Sequence, residues 1–189
     1  MAYKRITKNS TLKIPKKGYE VDGVTYKSKV LAEYHKELKT NKYVKTFHLP
    51  EISEDKKARC GKYNSYKVSI NDITFDSIME SKFYLLLLTM QASKEVISFE
   101  NQVTFELQPK FKDKYTGKTV RAITYIADFV VTMADKRVIA VDVKGKETDV
   151  FKIKRKMFQY KYPDIELVCM RLVSKTNVWL TVEELKKGK

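Results

Sequence analysis

A run of good helix formers at 76–93 (DSIMESKFYLLLLTMQAS), free of Gly and Pro and opened by Asp76 or Ser77 as a candidate N-cap, predicts the first secure helix of the chain. Beyond it the period changes. Apolar, β-branched and aromatic residues fill 96–108, 120–133, 137–144 and 165–173, divided by polar turns at Asp113 to Lys118 and Ala134-Asp135-Lys136, and these stretches predict strands. Between the last two, 149–161 (DVFKIKRKMFQYK) returns to helical spacing. Val150, Ile153, Met157 and Tyr160 recur three and four apart and Pro163 stops the segment, which predicts an amphipathic helix with a basic outer face. The order is helix, three strands, helix, strand. It describes an α/β fold, a mixed sheet flanked by helices, in which 137–144 and 165–173 form a parallel crossover.

Upstream, the chain resembles itself. Tyr19 to Leu38 (YEVDGVTYKSKVLAEYHKEL) matches Tyr66 to Leu87 (YKVSINDITFDSIMESKFYLLL), with two extra residues in the second copy, and both predict a strand leading into a capped helix. Aligned on Ser28 and Ser77, Leu31 falls opposite Glu80. Residues 1–48 are therefore expected to be an N-terminal extension and a degenerate duplicate of the strand-helix unit; two unrelated units sharing a common turn is the plainer alternative. Residues 49–62, polar and charged with Pro50 and Gly61, are expected to link it to a main domain at 63–189.

Composition narrows the function. Lys and Arg number 38 against 23 Asp and Glu, a formal charge of +15, so a polyanion is the natural partner. With 43% hydrophobic residues the chain can bury a real core. No stretch of about 18 apolar residues is present and the start carries no secretory pattern, so no membrane association and a soluble intracellular protein are expected. Cys60 and Cys169 form no Cys-x-x-Cys pair, which disfavours zinc and disulfide frameworks; a loop thiol and a strand core residue are expected. Only His35 and His48 are available, so chemistry falls to carboxylates and lysines.

Two carboxylates stand out because they interrupt apolar strands. Asp128 lies within Ile126-Ala-Asp128-Phe-Val-Val131 and Asp142 within Val138-Ile-Ala-Val-Asp142-Val. An uncompensated charge there costs several kcal/mol, and one hydrated divalent cation held by hard oxygen ligands would compensate both. Lys144, two residues after Asp142, shares its face and is suited to orient a water or offset charge on a phosphate. A same-face Asp142–Lys144 ion pair with Asp128 capping a turn is the bland alternative. Glu80, near the start of the first helix, is either a favourable dipole partner or a third acid of the site. Glu33 and Glu37 in the first copy are expected to be solvated.

At these residues the chain resembles the PD-(D/E)xK nuclease superfamily. Phe75-Asp-Ser77-Ile-Met-Glu80 resembles its helical first motif, Tyr125-Ile-Ala-Asp128-Phe129 its second and Val141-Asp142-Val-Lys144-Gly145 its third, so the likeness covers about 63–173. The nearest branch holds the junction-resolving endonuclease of phages and the TnsA-type transposition endonuclease; the chain is also similar to a family of small phage-encoded proteins. Ala127 stands in place of the proline that names the superfamily, and Asp142 in place of the commoner Glu. The resemblance implies a restriction-endonuclease-like sheet core, and Glu80, Asp128 and Asp142 as metal ligands with the Val143 backbone carbonyl. It also implies Lys144 as the catalytic lysine and Mg2+ or Mn2+ as cofactor.

The expected activity is thus a metal-dependent DNA endonuclease, phage-encoded and acting in the bacterial cytoplasm, on a branched substrate such as a four-way junction, where paired cuts would suit a homodimer. Exonuclease, transposition or restriction activity on duplex DNA, and DNA binding without cleavage, are the alternatives. Candidate DNA contacts are Lys152, Lys154, Arg155 and Lys156 on the basic helix, and Lys110, Lys112, Lys114 and Lys118 in a loop that either enters a groove or braces a strand. No zinc finger or helix-turn-helix pattern occurs, so backbone and shape are the expected features read.

Overall fold

The computed structural model describes residues 19–26, 28–49, 66–143, 147–173 and 176–187. The chain divides into two compact units, Met1–Ser77 and Ile78–Lys189. The division falls after Ser77, whereas the sequence places the second domain from 63; of the expected linker, all but Leu49 lies outside the described residues, as does Cys60.

In the first unit β1 (Tyr19–Val21) and β2 (Val24–Tyr26) form an antiparallel hairpin, followed by α1 (Lys29–Thr40). The expected single strand is two, because Asp22 at φ 51 and Gly23 at φ 79 reverse the chain in a two-residue turn. Ser28 caps α1, its hydroxyl accepting the Val30 N–H at 3.2 Å. Leu31, Ala32, Tyr34, His35 and Leu38 make the buried face, while Glu33 and Glu37 are exposed as expected. His35 is a structural residue: its Nδ1 lies 2.6 Å from the Tyr26 hydroxyl and its Nε2 3.3 Å from Asp22.

A second small sheet joins β3 (Phe47–His48), β4 (Val68–Ile70) and β5 (Ile73–Phe75) in the order β3-β4-β5. Asn71 at φ 50 and Asp72 at φ 65 turn β4 into β5 as Asp22 and Gly23 turn β1 into β2. The hairpins 19–26 and 68–75 are equally long and each ends two residues before its serine, so the two extra residues inferred from matching Tyr19 to Tyr66 are not needed.

The second unit opens with α2 (Ile78–Ala92), then β6 (Val96–Gln108), β7 (Phe111–Lys112), β8 (Thr119–Val120), β9 (Ile123–Met133), β10 (Val138–Val143), α3 (Asp149–Lys161), β11 (Glu166–Val173), β12 (Val178–Thr181) and α4 (Val182–Lys187). The sheet order is β12-β11-β10-β9-β6, mixed, with β10 and β11 parallel around α3 and the other pairs antiparallel. The crossover is the one the sequence predicts, and α3 has the predicted bounds. β12 and α4 were not anticipated; they are short and lack a distinct period. No helix among the described residues is long and apolar enough to cross a membrane.

α2 packs on β6 and β10, and α3 on β6 and β11. α2 sets Phe83 against Phe129 and Trp179 and sets Tyr84 against Phe99. α3 sets Phe151 and Phe158 into a core with Leu107, Tyr125, Ala127, Ala140, Leu167 and Cys169. Here the sequence misjudged the face. Of the expected face, Val150, Ile153 and Tyr160 are 65%, 61% and 91% exposed while Met157 is partly buried against the core, and the fully buried residues are Phe151 and Phe158, seven apart. Both sets satisfy a helical period; bulk decides, because Phe158 meets Phe105, Tyr125 and Tyr162 at once.

Candidate functional site

The pairing of β9 with β10 runs from Val138↔Thr132 to Val141↔Phe129 and stops, while β10 remains paired with β11 through Val143↔Met170. Past Val141 the Val143 N–H therefore has no β9 carbonyl to meet. The Asp128 carboxylate takes it, with Oδ2 2.7 Å from the nitrogen. A charged acceptor on a backbone N–H makes a strong hydrogen bond and fixes the orientation of the carboxylate.

The neighbouring strand β6 is irregular opposite this point. The register of β6 on β9 passes from Asn101↔Phe129 to Val103↔Ala127, so Gln102, at φ 55, lies across from Asp128. A non-glycine residue in the left-handed region inside a strand is strained. Ile123, Tyr125 and Ala127 face the core under α3, whereas Phe129 faces Phe83 of α2. Asp128 thus occupies the residue at which β9 changes layers. That explains how an acid is accommodated within an apolar strand.

On β10 Asp142 is 1% exposed and lies beside Cys169 of β11. Around it the electrostatics are consistent. Burial, then the charges of Asp142, Cys169 and Asp128, drive the Tyr125 hydroxyl above its ordinary range, so it stays a neutral phenol beside two carboxylates. The Cys169 thiol is pushed up to about 12, first by burial and then by Asp142. Glu80 stands in the first turn of α2 and is 7% exposed, more buried than a dipole partner needs to be. Lys144 lies outside the described residues.

Carboxylate oxygens suit a hard divalent cation, and the donors on β9 and β10 have that chemistry. Among the described residues, however, no group of three or more His, Cys, Asp or Glu side chains is gathered closely enough to hold a metal ion.

The basic residues divide into two kinds. Lys110, Lys112, Lys114 and Lys118 are exposed on the β7–β8 arm. Those of α3 are more committed: Lys152 pairs with Asp149 at 2.9 Å, Lys154 donates to the Thr124 carbonyl at 2.7 Å, and only Lys156 is exposed without such a bond among the described residues. Arg155 lies 3.2 Å from Glu147 and 2.5 Å from Glu183, bracing α3 against the loop before it and against α4. Sequence reasoning missed Tyr125, Gln102 and Glu147. Glu147 pairs with Arg155 and, at 2.6 Å, with Lys186, yet nothing in its spacing marks it.

A family described as "Protein of unknown function (DUF1064)" matches residues 60–177, well over half of the chain. The chain belongs to the DUF1064 family. The matched segment contains α2, the sheet strands through β11 and every acid of the site. No curated protein and no solved structure matches the chain.

Proposed function

We propose that this DUF1064 protein is a divalent-metal-dependent DNA endonuclease of restriction-endonuclease-like fold, acting on a branched recombination intermediate such as a four-way junction. The observation that carries this is the fork between β9 and β10, where Asp128 closes the ladder on the Val143 N–H beside the buried Asp142. The mixed sheet, Glu80 buried in the helix before it and the charge of +15 support it.

In this account Asp128 and Asp142 would hold the cation together with the Val143 carbonyl and water, and Glu80, which is not gathered with them among the described residues, would have to approach them to become the third acid. The cation would polarise the scissile phosphate and make a nucleophile of water at neutral pH. The Val143 N–H orients the Asp128 carboxylate, and the neutral Tyr125 hydroxyl, buried near Asp142, would be free to donate on that side. Lys144 would orient the attacking water or offset charge on the phosphate. Lys152, Lys154 and Lys156 would lie along the backbone of the DNA, and a homodimer would place two such sites for paired cuts.

The second reading is DNA binding without hydrolysis, favoured by the lack of a gathered three-ligand group among the described residues. Asp142→Asn separates the two. A nuclease loses turnover and keeps DNA affinity, whereas a binding protein has no metal-dependent turnover to lose.

A further inference from the structure

The most exposed large hydrophobic side chain among the described residues is that of Tyr115, 99% exposed, at the tip of the β7–β8 arm. An exposed aromatic on a slack loop would mean little, but this tip is built. The Asp113 carboxylate accepts the N–H groups of Tyr115 at 3.0 Å and Thr116 at 2.6 Å and the Thr116 hydroxyl at 2.9 Å. Backbone bonds of 2.9 Å run from Gly117 N–H to the Asp113 carbonyl and from Asp113 N–H to the Lys118 carbonyl, and Gly117 sits at φ 65 to close the turn. The bonds from Thr116 hold Asp113 below the usual carboxylate range, so it stays ionised and serves the turn.

The rest of the arm is cationic. Lys110, Lys112, Lys114, Lys118 and Arg121 are all exposed, and none makes an ion pair among the described residues. Five exposed cations and an exposed aromatic ring on one short arm match the requirements of single-stranded nucleic acid: charge tracks the phosphates and the ring stacks on a base. A paired duplex buries its base faces and offers the ring nothing. Tyr115 is thirteen residues from Asp128 along the chain, so even fully extended it reaches no more than about 45 Å from that carboxylate. An arm of that reach can engage the same DNA molecule.

We propose that the β7–β8 arm binds nucleic acid by stacking Tyr115 on an unpaired base, with Lys110, Lys112, Lys114, Lys118 and Arg121 on the flanking phosphates. This takes from the proposed function only that DNA is the partner; it does not require hydrolysis.

The test measures binding in EDTA, where no cut occurs, to two labelled DNAs of equal length. One is a full duplex, and the other carries an unpaired stretch containing 2-aminopurine. Wild-type protein prefers the unpaired DNA and changes the 2-aminopurine emission. Tyr115→Ala loses about 10-fold affinity for the unpaired DNA and the emission change, with duplex affinity altered less than about 2-fold, and Tyr115→Phe retains both. Lys112→Ala with Lys114→Ala weakens binding to both DNAs and lowers the salt slope by about 1 to 2. Equal behaviour of wild type and Tyr115→Ala on the unpaired DNA overturns the proposal, as does a failure of the wild type to bind either DNA at low salt. Should the Tyr115 pattern hold while magnesium elicits no cut, the proposal stands and the nuclease assignment falls. Should the junction be cut while Tyr115→Ala binds like wild type, the proposal alone falls.

Discussion

Asp128 accepts the Val143 N–H at 2.7 Å, so a carboxylate rather than a backbone carbonyl closes the end of the β9–β10 ladder. One side chain therefore carries both a structural and a proposed chemical duty, and substitutions separate them. Asp128→Asn keeps an acceptor oxygen and is expected to lie within about 1 kcal/mol of wild type, while Asp128→Ala leaves the N–H unsatisfied and costs about 1–3 kcal/mol. Urea unfolding of both variants checks this. Both are expected to lose cleavage.

Asp142 and Asp128 together burden the surroundings of Tyr125 with like charge. Magnesium is expected to raise the thermal midpoint of the wild type, since a ligand that binds only the folded state stabilises it. Asp142→Asn is expected to reduce or abolish that rise and to match or exceed the wild type in EDTA, because it removes one of two neighbouring charges. A scanning-calorimetry series in magnesium concentration distinguishes the outcomes; an identical shift in variant and wild type would place the cation elsewhere.

The face of α3 can be tested by pairing substitutions on one helix. Phe158, 0% exposed, is expected to cost about 3–5 kcal/mol on conversion to alanine. Tyr160→Ala and Ile153→Ala, on the exposed side, are expected to stay within about 0.5 kcal/mol. Comparable losses at all three positions would return the helix to the face read from sequence.

Cys169 is buried on β11 and its thiol is pushed up to about 12, so it remains a thiol through neutral pH. In a Cys60→Ser variant a thiol reagent at pH 8 is expected to leave the folded protein unmodified over a time in which the urea-unfolded chain reacts fully. Rapid labelling of the folded form would show the β10–β11 region to be open.

Much of this fold is legible in the chain because its elements differ sharply in period. β6 and α3 follow the bounds that apolar runs and helical spacing give, and the polar turn at Ala134-Asp135-Lys136 separates β9 from β10. The face of α3 was not legible, since Val150, Ile153 and Tyr160 keep the helical period as well as Phe151 and Phe158 do, and only the aromatic partners on β6 and β9 choose between them. Asp128 and Asp142 were visible as acids in apolar strands. Their surroundings were not: Gln102 is distinguished only by its backbone, at φ 55, and Tyr125 reads as an ordinary strand aromatic until the fold sets it near Asp142. Arg155 looked like part of a basic face, and its partner Glu183 is distant in sequence.

Metal-dependent hydrolysis at the Asp128–Asp142 fork can be read by incubating purified wild-type protein and Asp142→Asn with labelled four-way junction, linear duplex and single strand, in magnesium and in EDTA. Paired cuts at the junction by the wild type in magnesium only are expected, with binding but no cleavage by the variant. Binding without any cut by the wild type, in magnesium or manganese, would contradict that hydrolysis.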